Sequence, residues 1–186
     1  AKAMMPLGER PFLDHVLTRL ADAGLTRVCL VIGPEHTAVR EYYDGLDLQR
    51  MSIEYAVQAE PLGTADAVAA AEGFAGDDRF VVINGDNLYP PESLSRLVAE
   101  PGMGTVGFVP DDLVANSNIP ADRMGAFALL RPGDDGGLAE IIEKPSPEVA
   151  EALGPNRMVS MNCWLFGPEV FTACRSIEMS ARGEYE

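Results

Sequence analysis

The chain has 186 residues, 47% of them apolar, with Lys and Arg totalling 14 against 29 Asp and Glu, for a formal net charge of −15. That length supports one substantial core and demands no second domain. Such an acidic excess excludes nucleic acid as a partner, because that binding rests on clustered Lys and Arg neutralising phosphates. A small phosphorylated substrate fits only where cations gather locally or a metal ion supplies charge.

No apolar run approaches the roughly 20 residues that cross a bilayer, and "AKAMMPLGERP" lacks the apolar segment of a secretory signal. A cytoplasmic protein without a membrane partner is therefore expected. Cys29, Cys163 and Cys174 show no CxxC spacing, which predicts free thiols, two of them in apolar runs.

In chain order, "PFLDHVLTRLADAG" from Pro11 to Gly24 sets Phe12, Val16, Leu17 and Leu20 on one helical face. Strand signals follow at Arg27–Gly33 and Ser52–Val57, with a helix over His36–Tyr43 between them. Thr64–Phe74 reads as one helix, Arg79–Asn84 as a strand, "PESLSRLVAE" from Pro91 as a helix and Thr105–Pro110 as a strand. Alternation of this kind, with nearly continuous apolar strands, predicts parallel strands covered by crossover helices. Beyond Pro110, "DDLVANSNIPADRM" reads as a polar loop. "GAFALLRP", "LAEIIEKP" and "RMVSMNCWLFG" then read as closely spaced strands, with a helix around Pro147–Leu153 and a last one from Pro168 to about Ile177. The expected fold is an α/β three-layer sandwich with a mostly parallel, Rossmann-like mixed sheet.

Ligands of open α/β sheets gather outside the carboxyl ends of the strands, where three clusters lie. "FVVINGDNLY" ejects Asp86 at a strand end beside Gly85, which offers a carboxylate to a hard cation such as Mg²⁺ or simply turns the chain. "QAEPLGTADAV" joins the Gln58 amide to a glycine loop and a helix start, suited to a planar base and equally to an ordinary Thr cap. "EKP" at Glu143–Pro145 pairs a hydroxyl acceptor with a phosphate-binding ammonium, or is a solvated surface pair; Pro145 would bend the strand so that both reach one ligand.

With "KAMMPLGERPFLDHVL" and "MNCWLF", these motifs in this order resemble the sugar-1-phosphate nucleotidylyltransferases, the family typified by glucose-1-phosphate thymidylyltransferase. The resemblance covers essentially the whole chain. It implies transfer of a nucleoside monophosphate from an NTP to a sugar 1-phosphate, releasing pyrophosphate, with Mg²⁺ as cofactor and a possible homo-oligomer. Lys2 matches a triphosphate-contacting lysine, Gln58 and Gly63 base-contacting positions, and Asp86 a Mg²⁺ ligand. Gly125 matches a sugar-contacting glycine, Glu143 a sugar-hydroxyl acceptor and Lys144 the lysine that holds the sugar phosphate. Pro61, Thr64, Asn87 and Asn162, in the same motifs, complete the candidate set.

In-line attack by a sugar-phosphate oxygen on the α-phosphorus needs positioning and charge screening rather than a protein nucleophile. The lack of a Ser/His/Asp pattern agrees with this, and His15 and His36 read as structural. The family opens with a strand and a GxGTR-type glycine loop and continues past "GEYE" to a second metal aspartate. This chain starts after the first and stops before the second, so the resemblance implies one nucleotidyltransferase domain, incomplete at both ends and lacking a central first strand. A non-catalytic sugar-nucleotide-binding or regulatory subunit is the alternative. A dehydrogenase is disfavoured because no GxGxxG follows a strand. Gln58 can pair with uracil or thymine and also with a purine, and the reading leans to a pyrimidine NTP. Gln58, Asp86 and Lys144 are expected around one cleft.

Overall fold

The computed structural model describes residues 2–180 and 182–186. A 3-10 turn (Lys2–Met4) leads into a short hairpin of β1 (Pro6–Leu7) and β2 (Arg10–Pro11) that turns on Gly8, whose φ of 68° a side chain would resist. Then come α1 (Phe12–Asp22), β3 (Arg27–Ile32), α2 (Thr37–Asp44), β4 (Ser52–Val57), α3 (Thr64–Ala70), α4 (Glu72–Ala75), β5 (Phe80–Ile83), α5 (Pro91–Ala99) and β6 (Gly104–Phe108). The remainder is α6 (Pro110–Asn116), a 3-10 turn (Ala121–Ala126), β7 (Leu129–Pro132), β8 (Leu138–Ile142), α7 (Pro147–Ala152), β9 (Met158–Phe166) and α8 (Glu169–Ser176).

The amphipathic reading of α1 holds for Val16, Leu17 and Leu20, which are buried with Leu13 in the main core beside Leu94 and Leu97 of α5 and Val159, Cys163 and Leu165 of β9, while Phe12 is only partly buried against it. Each such side chain contributes about 1.5–3 kcal/mol on burial. Asp14 accepts hydrogen bonds from the hydroxyls of Tyr42 (3.0 Å) and Tyr43 (2.8 Å), fastening α2 to α1. Helix α1 packs on α5 and α3 on α8, forming the helical layers of the α/β sandwich.

The expected helix over Thr64–Phe74 breaks at buried Ala71 (φ −89°, ψ 4°), where tight bonds from Ala71 N to Val68 O and from Phe74 N to Ala71 O replace the α-helical ones. Asp111–Asn116, read as polar loop, is helical in α6. Pro110 opens that helix and Asp111 and Asp112 occupy its first turn, favourable placements that the polar composition masked. Strand β7 starts later than expected because residues 121–126 coil into a 3-10 turn.

The sheet is mixed. β3 and β4 pair in parallel from Arg27↔Ser52 to Ile32↔Val57. β5, β6 and β7 all run antiparallel to the long strand β9, and β8 runs antiparallel to β7. Leu165 pairs with both Gly104 of β6 and Val81 of β5, while Val159 pairs with both Phe108 of β6 and Leu129 of β7. β5 and β7 therefore share one edge of β9, end to end, and β6 takes the other. Among the described residues no backbone pairing joins β3–β4 to this five-stranded sheet.

Candidate functional site

The edge of β9 changes partner from β7 at residues 158–159 to β5 at residues 163–166. Asn162 sits at that changeover in the left-handed region, with φ 56°. After β5 the chain turns through Asn84–Asn87 and is latched to the same place. The buried Tyr89 hydroxyl donates to Met161 O at 2.5 Å, and the Asn87 amide donates to the Tyr89 hydroxyl at 3.1 Å. Burial pushes the Tyr89 phenol up to about 12, so it stays a donor. Asp86, just ahead of these anchors, is exposed and has no hydrogen bond or ion pair among the described residues.

β8 stops at Ile142, paired with Leu129, and Lys144 turns left-handed at φ 45° just before Pro145. Leu129 also pairs with Val159, so Glu143–Lys144 and Ser160–Asn162 flank the same end of β7, where Ser160 N donates to Ala128 O at 2.9 Å and Gly125 lies close by in sequence. Among the described residues, Lys144 and Asn162 are the non-glycine residues with positive φ. Each such backbone costs on the order of 1–3 kcal/mol, and strain of this kind collects at functional sites. A Cβ on Gly125 would meet no atom within 4 Å, so the space beside it is open.

Gln58 follows β4, and its backbone N donates to Ile32 O at 2.9 Å. Its side-chain Nε2 donates to Gly63 O at 3.0 Å and to Asp66 Oδ2 at 2.9 Å. Gly63 is left-handed (φ 110°), and a Cβ there would collide with the Tyr185 backbone. Tyr185 N donates to Leu62 O at 2.6 Å and Ala65 N to Tyr185 O at 3.0 Å, so the tail pairs with this loop. Pro61 and Thr64 are exposed on it. In the tail Arg182 pairs with Glu186 at 2.5 Å. Glu186, with weaker help from Glu184 and Glu143, raises the Arg182 pKa, while Arg182 and, more weakly, Lys144 lower that of Glu186. The tail thus lies against the Gln58 loop.

The sequence expects Gln58, Asp86 and Lys144 around one cleft, and Lys144 borders neither of two cavities that the described residues form. Gln58 lines a cavity of about 460 Å³ with Leu62, Asp66 and Ala69, whereas Gly125 and Pro145 line another of about 280 Å³ with Arg157, and Asp86 lines neither. Gln58 follows β4 of the parallel pair, whereas Asn87 and Asn162 belong with the five-stranded sheet. Lys2 is exposed on its 3-10 turn against α1, with no bond to another candidate residue. Among the described residues no three His, Cys, Asp or Glu side chains gather to hold a metal. The lone Asp86 carboxylate fits Mg²⁺ only as an ion that takes one or two carboxylates and completes its shell with substrate phosphates and water.

A family model described as nucleotidyl transferase matches residues 1–186. The chain belongs to that family. Relatives include a low-salt glycan biosynthesis nucleotidyltransferase of Haloferax volcanii, 31% identical over 100% of this chain and 48% of the relative. A UTP–glucose-1-phosphate uridylyltransferase of the same organism is 27% identical over 100% of this chain and 71% of its own. The chain therefore spans about half the length of the first relative. A UDP-glucose pyrophosphorylase solved with UDP-glucose superposes with TM-score 0.77 over 99% of this chain and 74% of that one, at 15% identity, which speaks to the fold. The resemblance to sugar-1-phosphate nucleotidylyltransferases read from the motifs is borne out. No helix among the described residues is long and apolar enough to cross a membrane.

Sequence reasoning missed Tyr89, Asp66 and Tyr185. Tyr89 carried a faint signal, an aromatic two residues after a turn; Tyr185 acts through its backbone and carried none.

Proposed function

We propose that the protein transfers a nucleoside monophosphate from an NTP to a sugar 1-phosphate, giving an NDP-sugar and pyrophosphate, with Mg²⁺ bound through Asp86. The supporting observation is that Lys144 and Asn162, the left-handed non-glycine residues among the described ones, flank one end of β7, the first at a position that the resemblance matches to sugar-phosphate binding and the second in the candidate substrate-binding set. In this reading the Lys144 ammonium holds the acceptor phosphate, Glu143 accepts from sugar hydroxyls, Gln58 contacts the base and Lys2 the triphosphate. Bound Mg²⁺ would neutralise phosphate charge.

The chain has just two lysines, Lys2 and Lys144, its other cations being arginines. Both therefore fall in the candidate set of a protein whose overall charge repels polyanions. Pyrophosphate release measured across NTPs and sugar 1-phosphates tests the reading. Release that requires both substrates is expected; release without sugar phosphate, or none with any pair, overturns it.

A further inference from the structure

A carboxamide carries two donors on its nitrogen and only acceptors on its oxygen. Both partners of Gln58 Nε2, the Gly63 carbonyl at 3.0 Å and Asp66 Oδ2 at 2.9 Å, are acceptors, so the amide has one favourable orientation. Flipping it would set Oε1 against two oxygens. Asp66 lies in the first turn of α3 and Gly63 just ahead of it, so one helix start fixes both partners. Gln58 Oε1 has no protein partner among the described residues, and no unpartnered side-chain oxygen or nitrogen there is buried. Oε1 is thus the side-chain atom of Gln58 left open to a further partner among the described residues.

We propose that Asp66 is a positioning residue that sets base choice, turning the Gln58 carbonyl oxygen, and not its NH₂, toward the nucleobase. The site then takes bases with an imide N–H, uracil or thymine, and disfavours cytosine, whose ring nitrogen at the same place offers a lone pair. The inference rests on Gln58 contacting the base. Asp66 does not touch the nucleotide. Its carboxylate also suits the positive end of a helix, a role that would affect stability without selecting a base.

The test measures kcat and KM of the whole protein for UTP, dTTP and CTP, at saturating sugar phosphate and excess Mg²⁺, in the wild type, Asp66→Ala and Asp66→Asn. In Asp66→Ala the UTP-to-CTP ratio of kcat/KM is expected to fall roughly tenfold or more, through KM, the size of one lost hydrogen bond to an unsatisfied group. Asp66→Asn, whose Oδ1 still accepts, should keep most of the ratio. An unchanged ratio in Asp66→Ala, or an equal loss for every nucleotide, overturns the inference. If the alanine variant does not fold, Asp66→Ser, a residue common at helix starts, makes the same comparison. A wild type that prefers CTP overturns the inference alone; a wild type inactive with every NTP overturns the functional reading as well.

Discussion

Around Gln58 the backbone is shaped by side chains and a distant tail: an amide, a carboxylate and the main chain of Tyr185 hold a left-handed glycine in place. Around Asn162 the sheet itself does the shaping, because β9 must exchange one neighbour for another and a single residue absorbs the change. The first region can be altered without touching the core. The second cannot, since Tyr89 and Met161 beside Asn162 are buried. On the proposed function, nucleotide choice should therefore be easier to change by mutation than the acceptor site.

The largest effect expected on this contrast is from Asp86→Asn. Removing an exposed charge with no partner among the described residues should leave the melting temperature unchanged while lowering kcat roughly 10²–10³-fold, the scale of lost transition-state stabilisation. Full activity would overturn the proposed binding of Mg²⁺ through Asp86. Lys144→Ala should raise KM for the sugar phosphate by about ten- to a hundredfold with KM for NTP nearly constant, as a lost hydrogen bond to a charged group would. Equal changes in both constants would merge the two regions.

Gly63→Ala works on the other side: a positive φ and a Cβ against Tyr185 should cost about 1–3 kcal/mol and raise KM for NTP alone. Unaltered NTP kinetics would separate the tail from the base site. Tyr89→Phe strips a donor from buried Met161 O, for a loss of about 1–2 kcal/mol in denaturant melts.

That substitution also has a pH signature. The Tyr89 phenol is raised from 10.0 to about 12 in the fold, so its contribution is complete below pH 10 and is lost as pH rises from 10 through 12. The Phe variant should lose less stability than the wild type across that interval; equal slopes would place the titration elsewhere. The smallest effect is expected from Asn162→Gly, which relieves the left-handed backbone by up to about 1 kcal/mol. A large loss of stability there would mean that the Asn side chain holds the changeover in β9.

Much of this was legible beforehand, and unevenly. Apolar periodicity located α1, β3, β4, β5 and β9 because burial of Leu17, Val28 or Leu165 is a property of the local pattern. The split at Ala71 and the helix at Pro110–Asn116 escaped, since propensity there ran against, or was hidden by, composition. At the site, the motifs pointed to Gln58, Asp86, Lys144 and Asn162 but gave no hint that the first lines a different cavity from the residues beside Gly125.

By itself the sequence determined an acidic α/β chain, the order of most of its elements, its family and the residue types available for phosphate, sugar and base. These follow from short-range patterns of apolar, glycine and charged residues. Only the tertiary structure decided that Asn87 and Tyr89 are latched to β9, that Asp66 turns the Gln58 amide and that residue 185 braces residue 63. Those contacts join positions from 8 to 122 residues apart, and hydrogen-bond geometry at such separations is set by how the layers pack.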